Sequence, residues 1–299
     1  MTFRSVIFTM KKGELLATTI VVTVLIYASG CTRNADIPDE MPVDSVYVPS
    51  VDEAEAADSD IVDTISALIA ERPMPKAADE LFDDFLFNFV ANEKLQLSRT
   101  DFPLPVHDAN MTLEVAREDW TMERFFMRQG FYTMIIESRK QLEYAKDTSV
   151  VHVSVEKMDL RQGTEKLFNF DKVDGQWRLT SIEHSKIADN DNASFLVFYE
   201  QFVTDSVVMA SSLQNPIKIT GPDPEDETSN VTVELEPSEW QELEMDDLPH
   251  GTIYNIRYGQ EYKNAEKKTL MMRGISNGLE AELTFECKEG QWKLVEIVF

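Results

Sequence analysis

The chain has 299 residues, a formal net charge of −26, two cysteines and hydrophobic residues at 43 %. That composition is globular. The acidity argues against a surface for nucleic-acid phosphates, which needs clustered Lys and Arg, and two cysteines cannot build a disulfide framework, so stability has to come from an apolar core.

Residues 1–30 read as a targeting segment: Arg4, Lys11 and Lys12, an apolar run from Leu15 to Tyr27, then Ala28, Ser29 and Gly30. The run falls short of the roughly 20 apolar residues that a bilayer span needs. "YASGC" resembles the lipobox of bacterial lipoproteins, in which the chain is cut before a cysteine that receives diacylglycerol. That resemblance implies lipidation of Cys31; a short uncleaved anchor is the alternative. Either way the membrane partner is reached through the N-terminus. Without Arg4, Lys11, Lys12 and Glu14 the charge becomes about −28, which an anionic bilayer repels, so the lipid is the expected means of attachment.

Residues 31–60 are acidic, carry Pro38, Pro42 and Pro49, and read as a solvated tether. Ile61, Ile65, Leu68 and Ile69 recur at helical spacing and Pro73 closes that stretch, predicting a short helix. Beyond it the chain repeats itself. Phe82, Phe85, Phe89 and Val90 recur as Phe195, Phe198, Phe202 and Val203 at an offset of 113. "NMTLEVAREDW" from Asn110 meets "NVTVELEPSEW" from Asn230 at 120, and Phe170, Gly175, Gln176, Trp177 and Leu179 meet Phe285, Gly290, Gln291, Trp292 and Leu294 at 115. Three blocks in one order predict two similar domains, 61–188 and 189–299.

The phenylalanines fall at i, i+3 and i+7, one face of a helix, with Asp79 and Glu80 near its start where the dipole favours anions. Met111, Leu113 and Val115 alternate with polar residues, as do Val231, Val233 and Leu235, and Val151, Val153 and Val155; each set is expected to face a core. Asp174-Gly175 and Glu289-Gly290 predict hairpin turns, with Trp177 and Trp292 on the apolar faces that follow. Cys287 follows Leu283 and Phe285 at period two and reads as a small buried hydrophobe. A helix followed by mainly antiparallel strands is an α+β unit.

With that order and the closing "GQW" hairpins in hand, each copy resembles the nuclear transport factor two-like superfamily, cystatin-like cones that house ketosteroid isomerases, scytalone-dehydratase-like enzymes and many binding domains. The phenylalanine helix, "FPLP" at Phe102, "EDW" at Glu118 and the "DGQW" hairpin further resemble a family of uncharacterised gut-bacterial lipoproteins. The resemblance implies two tandem domains, each a helix on a curved sheet. The absence of an acidic cluster directly after Cys31 favours an outer-membrane protein facing the periplasm, with surface exposure as the alternative.

No H-E-x-x-H, G-x-S-x-G or phosphate-binding glycine loop occurs. His152 is expected on the outward side of its strand, and His107, His184 and His250 in loops. The acidic run from Gly221 to Pro249 lacks calcium-loop spacing and reads as a solvated loop. Neither a metal nor a cofactor is expected. Tyr132 and Trp120 in the first copy, and Tyr254 and Trp240 in the second, line the cone mouths as ligand contacts or pack as core. The leading expectation is a non-enzymatic envelope lipoprotein that binds a small molecule, a peptide or an envelope protein. An isomerase or dehydratase acting on a small carbonyl compound, and a structural or assembly partner, are the alternatives.

Overall fold

The computed structural model describes residues 74–109, 111–223, 226–236, 248–263, 266–275 and 279–299. Cys31, the tether, the helix expected at 61–72 and Trp240 lie outside them. Among the described residues no helix is long and apolar enough to cross a membrane.

The first copy supplies helices α1 (Phe82–Ala91) and α2 (Glu93–Arg99), then strands β1 (Leu104–Asp108), β2 (Met111–Val115), β3 (Phe131–Ile136), β4 (His152–Asp159), β5 (Thr164–Val173) and β6 (Gln176–Lys186). The second supplies α3 (Ala193–Thr204), α4 (Ser206–Ser211), β7 (Leu213–Asp223), β8 (Asp226–Leu235), β9 (Thr252–Arg257), β10 (Lys267–Gly274), β11 (Glu280–Lys288) and β12 (Gln291–Val298). This is the expected α+β order, helix first and sheet after, in both copies. The hairpins close as predicted: Asp174 and Gly175 take φ of 50° and 77°, and Glu289 and Gly290 take 53° and 78°. Two consecutive positive φ values make the type I′ turn whose twist suits a two-residue hairpin. A bulge recurs at equivalent positions, Asn169/Phe170 and Thr284/Phe285.

All twelve strands join one sheet, ordered β2-β1-β6-β5-β4-β9-β3-β10-β11-β12-β7-β8. The two copies have exchanged a strand. β9 of the second copy pairs antiparallel with β4 of the first, β3 of the first pairs antiparallel with β10 of the second, and β3 and β9 meet in parallel at Thr133 and Asn255. The 188/189 boundary falls within the 3-10 segment Ile187–Asp189, where the copies meet in sequence, but hydrogen bonding runs continuously across both.

The exchange follows from burial. β3, "FYTMII", is buried at every position, as a strand covered on both faces must be, and such strands read as apolar runs without alternation. Its even-numbered residues Tyr132, Met134 and Ile136 join the core under α1, together with Phe82, Phe85, Phe89, Phe168, Phe170 and Trp177. Its odd-numbered Ile135 and Thr133 register with Leu270 and Met272 of β10. Those residues share a face with Lys268, whose register partner Phe285 touches Phe195 of α3 at 5.3 Å between centroids. The two helices therefore cover opposite faces of the shared sheet.

Several expectations are corrected. Tyr254 belongs to the first core, not the second, because β9 has crossed over, and Ile256 on the same strand joins it there. Met111 and Leu113 are 56 % and 51 % exposed, since β2 is an edge strand reaching past α1. Val151 is exposed just before β4, whereas Val153 and Val155 are buried. In α3 the helix is rotated so that Tyr199 is buried and Phe198 only half-buried. Cys287 is half-buried, near the hairpin end of β11 where it registers with Trp292. His107 and His184 lie on strands. Asp79, just before α1, binds Arg99 and the Trp177 backbone N–H.

Candidate functional site

The first core is filled from its closed end by aromatic rings: Phe82 packs edge-on to Trp177 at 5.1 Å, Phe89 to Phe170 at 5.3 Å, and Phe125 tilts on Phe168 at 4.7 Å. One row further along the strands burial gives way. Register places Tyr254 (β9), Lys157 (β4), Lys166 (β5), His184 (β6) and Asp108 (β1) side by side on the face that α1 covers. Lys157 and Lys166 retain about a third of their side-chain exposure and His184 is 43 % exposed. At this row, the mouth of the core, the buried interior meets solvent.

The rim is held by one residue. Gln96 on α2 is fully buried and makes three hydrogen bonds to the segment opposite: Nε2 donates to the Glu123 carbonyl at 2.7 Å, and Oε1 accepts from the Glu123 N–H at 3.1 Å and the Trp120 indole at 3.3 Å. Trp120, half-buried, packs on the core and meets Phe102 at 6.1 Å. The Glu123 carboxylate is thereby aimed between the lysines, 3.4 Å from Lys157 and 3.8 Å from Lys166. Lys157 also lies over the Tyr254 ring at 5.5 Å, and Lys166 over Phe168 at 4.6 Å. Burial pulls the Lys166 ammonium below its usual range. Lys157, also desolvated, is nevertheless raised by Tyr254 and Glu123.

Of the pocket residues named from sequence, Trp120 and Tyr254 come together at this mouth. Tyr132 lies elsewhere in the same core, where its hydroxyl donates to Asp83 at 3.4 Å, and Tyr258 donates to the other Asp83 oxygen. Burial raises the Asp83 carboxyl above its usual range, against the lowering effect of Tyr258, Arg273 and Tyr132. Lys157 and Lys166 are not among the residues named from sequence. The signal was present: Lys157 follows Val153 and Val155 at period two, and Lys166 precedes Phe168 and Phe170 likewise.

A second polar cluster lies on the opposite face. Glu156 is fully buried, accepts from Asn255 Nδ2 at 2.7 Å and sits 3.9 Å from Arg257, which Asp191 also binds at 2.7 Å. Burial, then the charge of Glu165, push Glu156 up to about 8; Glu165 is raised as well. Among the described residues no three His, Cys, Asp or Glu side chains are placed to hold a metal ion.

A family model described as a domain of unknown function (DUF4348) matches residues 61–298. No curated protein matches the chain. A crystal structure of an NTF2-like protein from Bacteroides fragilis NCTC 9343 aligns with a TM-score of 0.70 and 32 % identity, over 76 % of this chain and 98 % of that one.

Proposed function

The chain belongs to this family of unknown function with an NTF2-like fold, and from that premise we propose that it is a lipid-anchored envelope protein acting as a non-enzymatic binding module. Its ligand is taken at the mouth of the first core. The observation that carries this reading is the mouth itself: a partly exposed polar row lying on a closed aromatic floor, with Trp120 fixed at the rim by Gln96. Aromatic walls with a few oriented polar groups are what small-molecule sites are made of.

Binding is favoured over isomerase or dehydratase chemistry because the carboxylates an enzyme would use are engaged. Both Asp83 oxygens accept from tyrosine hydroxyls, and Glu123 lies between two ammonium groups. The lipobox-like "YASGC" supports attachment through Cys31, and the sequence after it supports a periplasm-facing outer-membrane location. Native mass spectrometry of the full chain, extracted in mild detergent, tests the binding reading. A co-purifying small molecule that Trp120→Ala loses supports it; a bare mass together with turnover of a carbonyl compound sinks it. Cys31→Ser is expected to release the protein from the membrane fraction, and retention there would refute the lipid anchor.

A further inference from the structure

Lys157 and Lys166 are direct cross-strand partners on β4 and β5, an arrangement that places like charges opposite each other and is ordinarily destabilising. They share one carboxylate, Glu123, at 3.4 and 3.8 Å. Both distances exceed the roughly 2.7–2.9 Å of a tight charge-assisted bond. Three other half-buried or buried cations of this acidic chain are paired more tightly. Arg99 has Asp79 at 2.8 Å, Lys268 has Glu137 at 2.6 Å, and Arg257 has Asp191 at 2.7 Å with Glu156 at 3.9 Å. At the mouth the cations outnumber the carboxylate that joins them. His184 and Asp108, 4.0 Å apart, extend the row, and Asp159, two residues along β4 from Lys157, accepts from the Gln162 backbone N–H at 2.8 Å. The desolvated Lys166 ammonium is the member that gains most from a second anion.

The same face then turns apolar. Val106 on β1 registers with Ile182 and with Leu113 on β2, and Asp108 with Met111, so both exposed side chains of the edge strand flank the basic row. From Lys166 on β5 along its register row to Met111 on β2 are three strand spacings, roughly 14 Å at about 4.8 Å each.

We infer that the ligand of this mouth is an amphiphilic carboxylate, its anionic head seated between Lys166 and Lys157 and its apolar body laid over Val106, Leu113 and Met111. The inference rests on the binding reading above. Calorimetry of the full chain in detergent, with protein-free micelles as the blank, tests it with octanoate and 1-octanol as the probes. Octanoate is expected to bind at least tenfold more tightly than octanol. Lys166→Met leaves Glu123 and Lys157 as a one-to-one pair and is expected to erase that preference, whereas Lys166→Arg keeps it; circular dichroism confirms that both variants fold. Equal affinity for the two probes, or a preference that survives Lys166→Met, overturns the anionic head group while leaving the mouth as a binding site. Binding of neither probe, or binding indifferent to both Lys166→Met and Trp120→Ala, overturns the inference and the binding reading together.

Discussion

Replacing Glu156 by glutamine is expected to flatten the dependence of stability on pH. Glu156 sits on β4 beside the exchanged strand β9, fully buried, with Asn255 bonded to one oxygen and Arg257 3.9 Å from the other. Burial is the largest effect and pushes its carboxyl up to about 8, from an ordinary 4.5. A carboxyl that holds its proton more tightly when folded stabilises the fold fully below the unfolded value. That contribution is lost as pH rises through the folded one. At 1.36 kcal/mol per unit the loss between pH 4.5 and 8 is on the order of 4–5 kcal/mol, shared with Glu165 because the two titrate together. Glutamine keeps the acceptor for Asn255 and carries no charge to titrate. Urea unfolding followed by near-ultraviolet circular dichroism at pH 5, 6, 7 and 8 should show the wild type weakening steadily and Glu156→Gln weakening with a clearly smaller slope, the remainder coming from Glu165 and Asp83. Parallel curves would refute the reasoning. A wild type that instead weakens on acidification would mean that Arg257, not burial, governs this carboxylate.

Other outcomes follow from packing. Asp79→Ala leaves the nearly buried Arg99 guanidinium without its carboxylate and frees the Trp177 N–H; it is expected to cost about 3–5 kcal/mol in urea unfolding. Phe89→Ala, at a fully buried position touching Phe85, Phe125 and Phe170, is expected to cost about 3–5 kcal/mol. Phe198→Ala, at the half-buried equivalent of Phe85, should cost measurably less; equal costs would contradict the rotation of α3. Gly290→Ala meets no atom within 4 Å but must hold a φ of +78°, so it should cost about 1–2 kcal/mol from backbone strain alone, read as a lowered unfolding midpoint.

The helices and closing hairpins were legible because each is specified locally: phenylalanine spacing marks α1 and α3, and a glycine at positive φ marks each turn. The α+β order followed from them. The strand exchange was not legible. "FYTMII" and "TIYNIR" announce strands buried on both faces, yet nothing in their composition says which copy provides the covering helix or the neighbouring strand. Met111 and Leu113 show the other limit, for alternation identifies the inward face of an edge strand without showing that anything lies over it. At the candidate site Trp120 and Tyr254 stood out as aromatic residues, but Tyr254 was expected in the second copy and lies in the first. The lysine pair required register, which places Lys157 opposite Lys166 only once β4 and β5 are aligned.

The crossing of β9 into the first half ties the molecule's two faces to one ribbon of backbone. Tyr254 ends beneath Lys157 at the mouth, while the next residue, Asn255, turns to the far side, where it accepts from the Ile135 N–H at 2.8 Å and donates to Glu156. Whatever shifts Tyr254 by an ångström moves the peptide that positions Asn255 as well, and with it a hydrogen bond to a buried carboxyl on the other side of the sheet. The polar row on one face and the buried carboxyl beneath the other are thus joined through the single peptide unit between Tyr254 and Asn255, contributed by the second half of the repeat to the first.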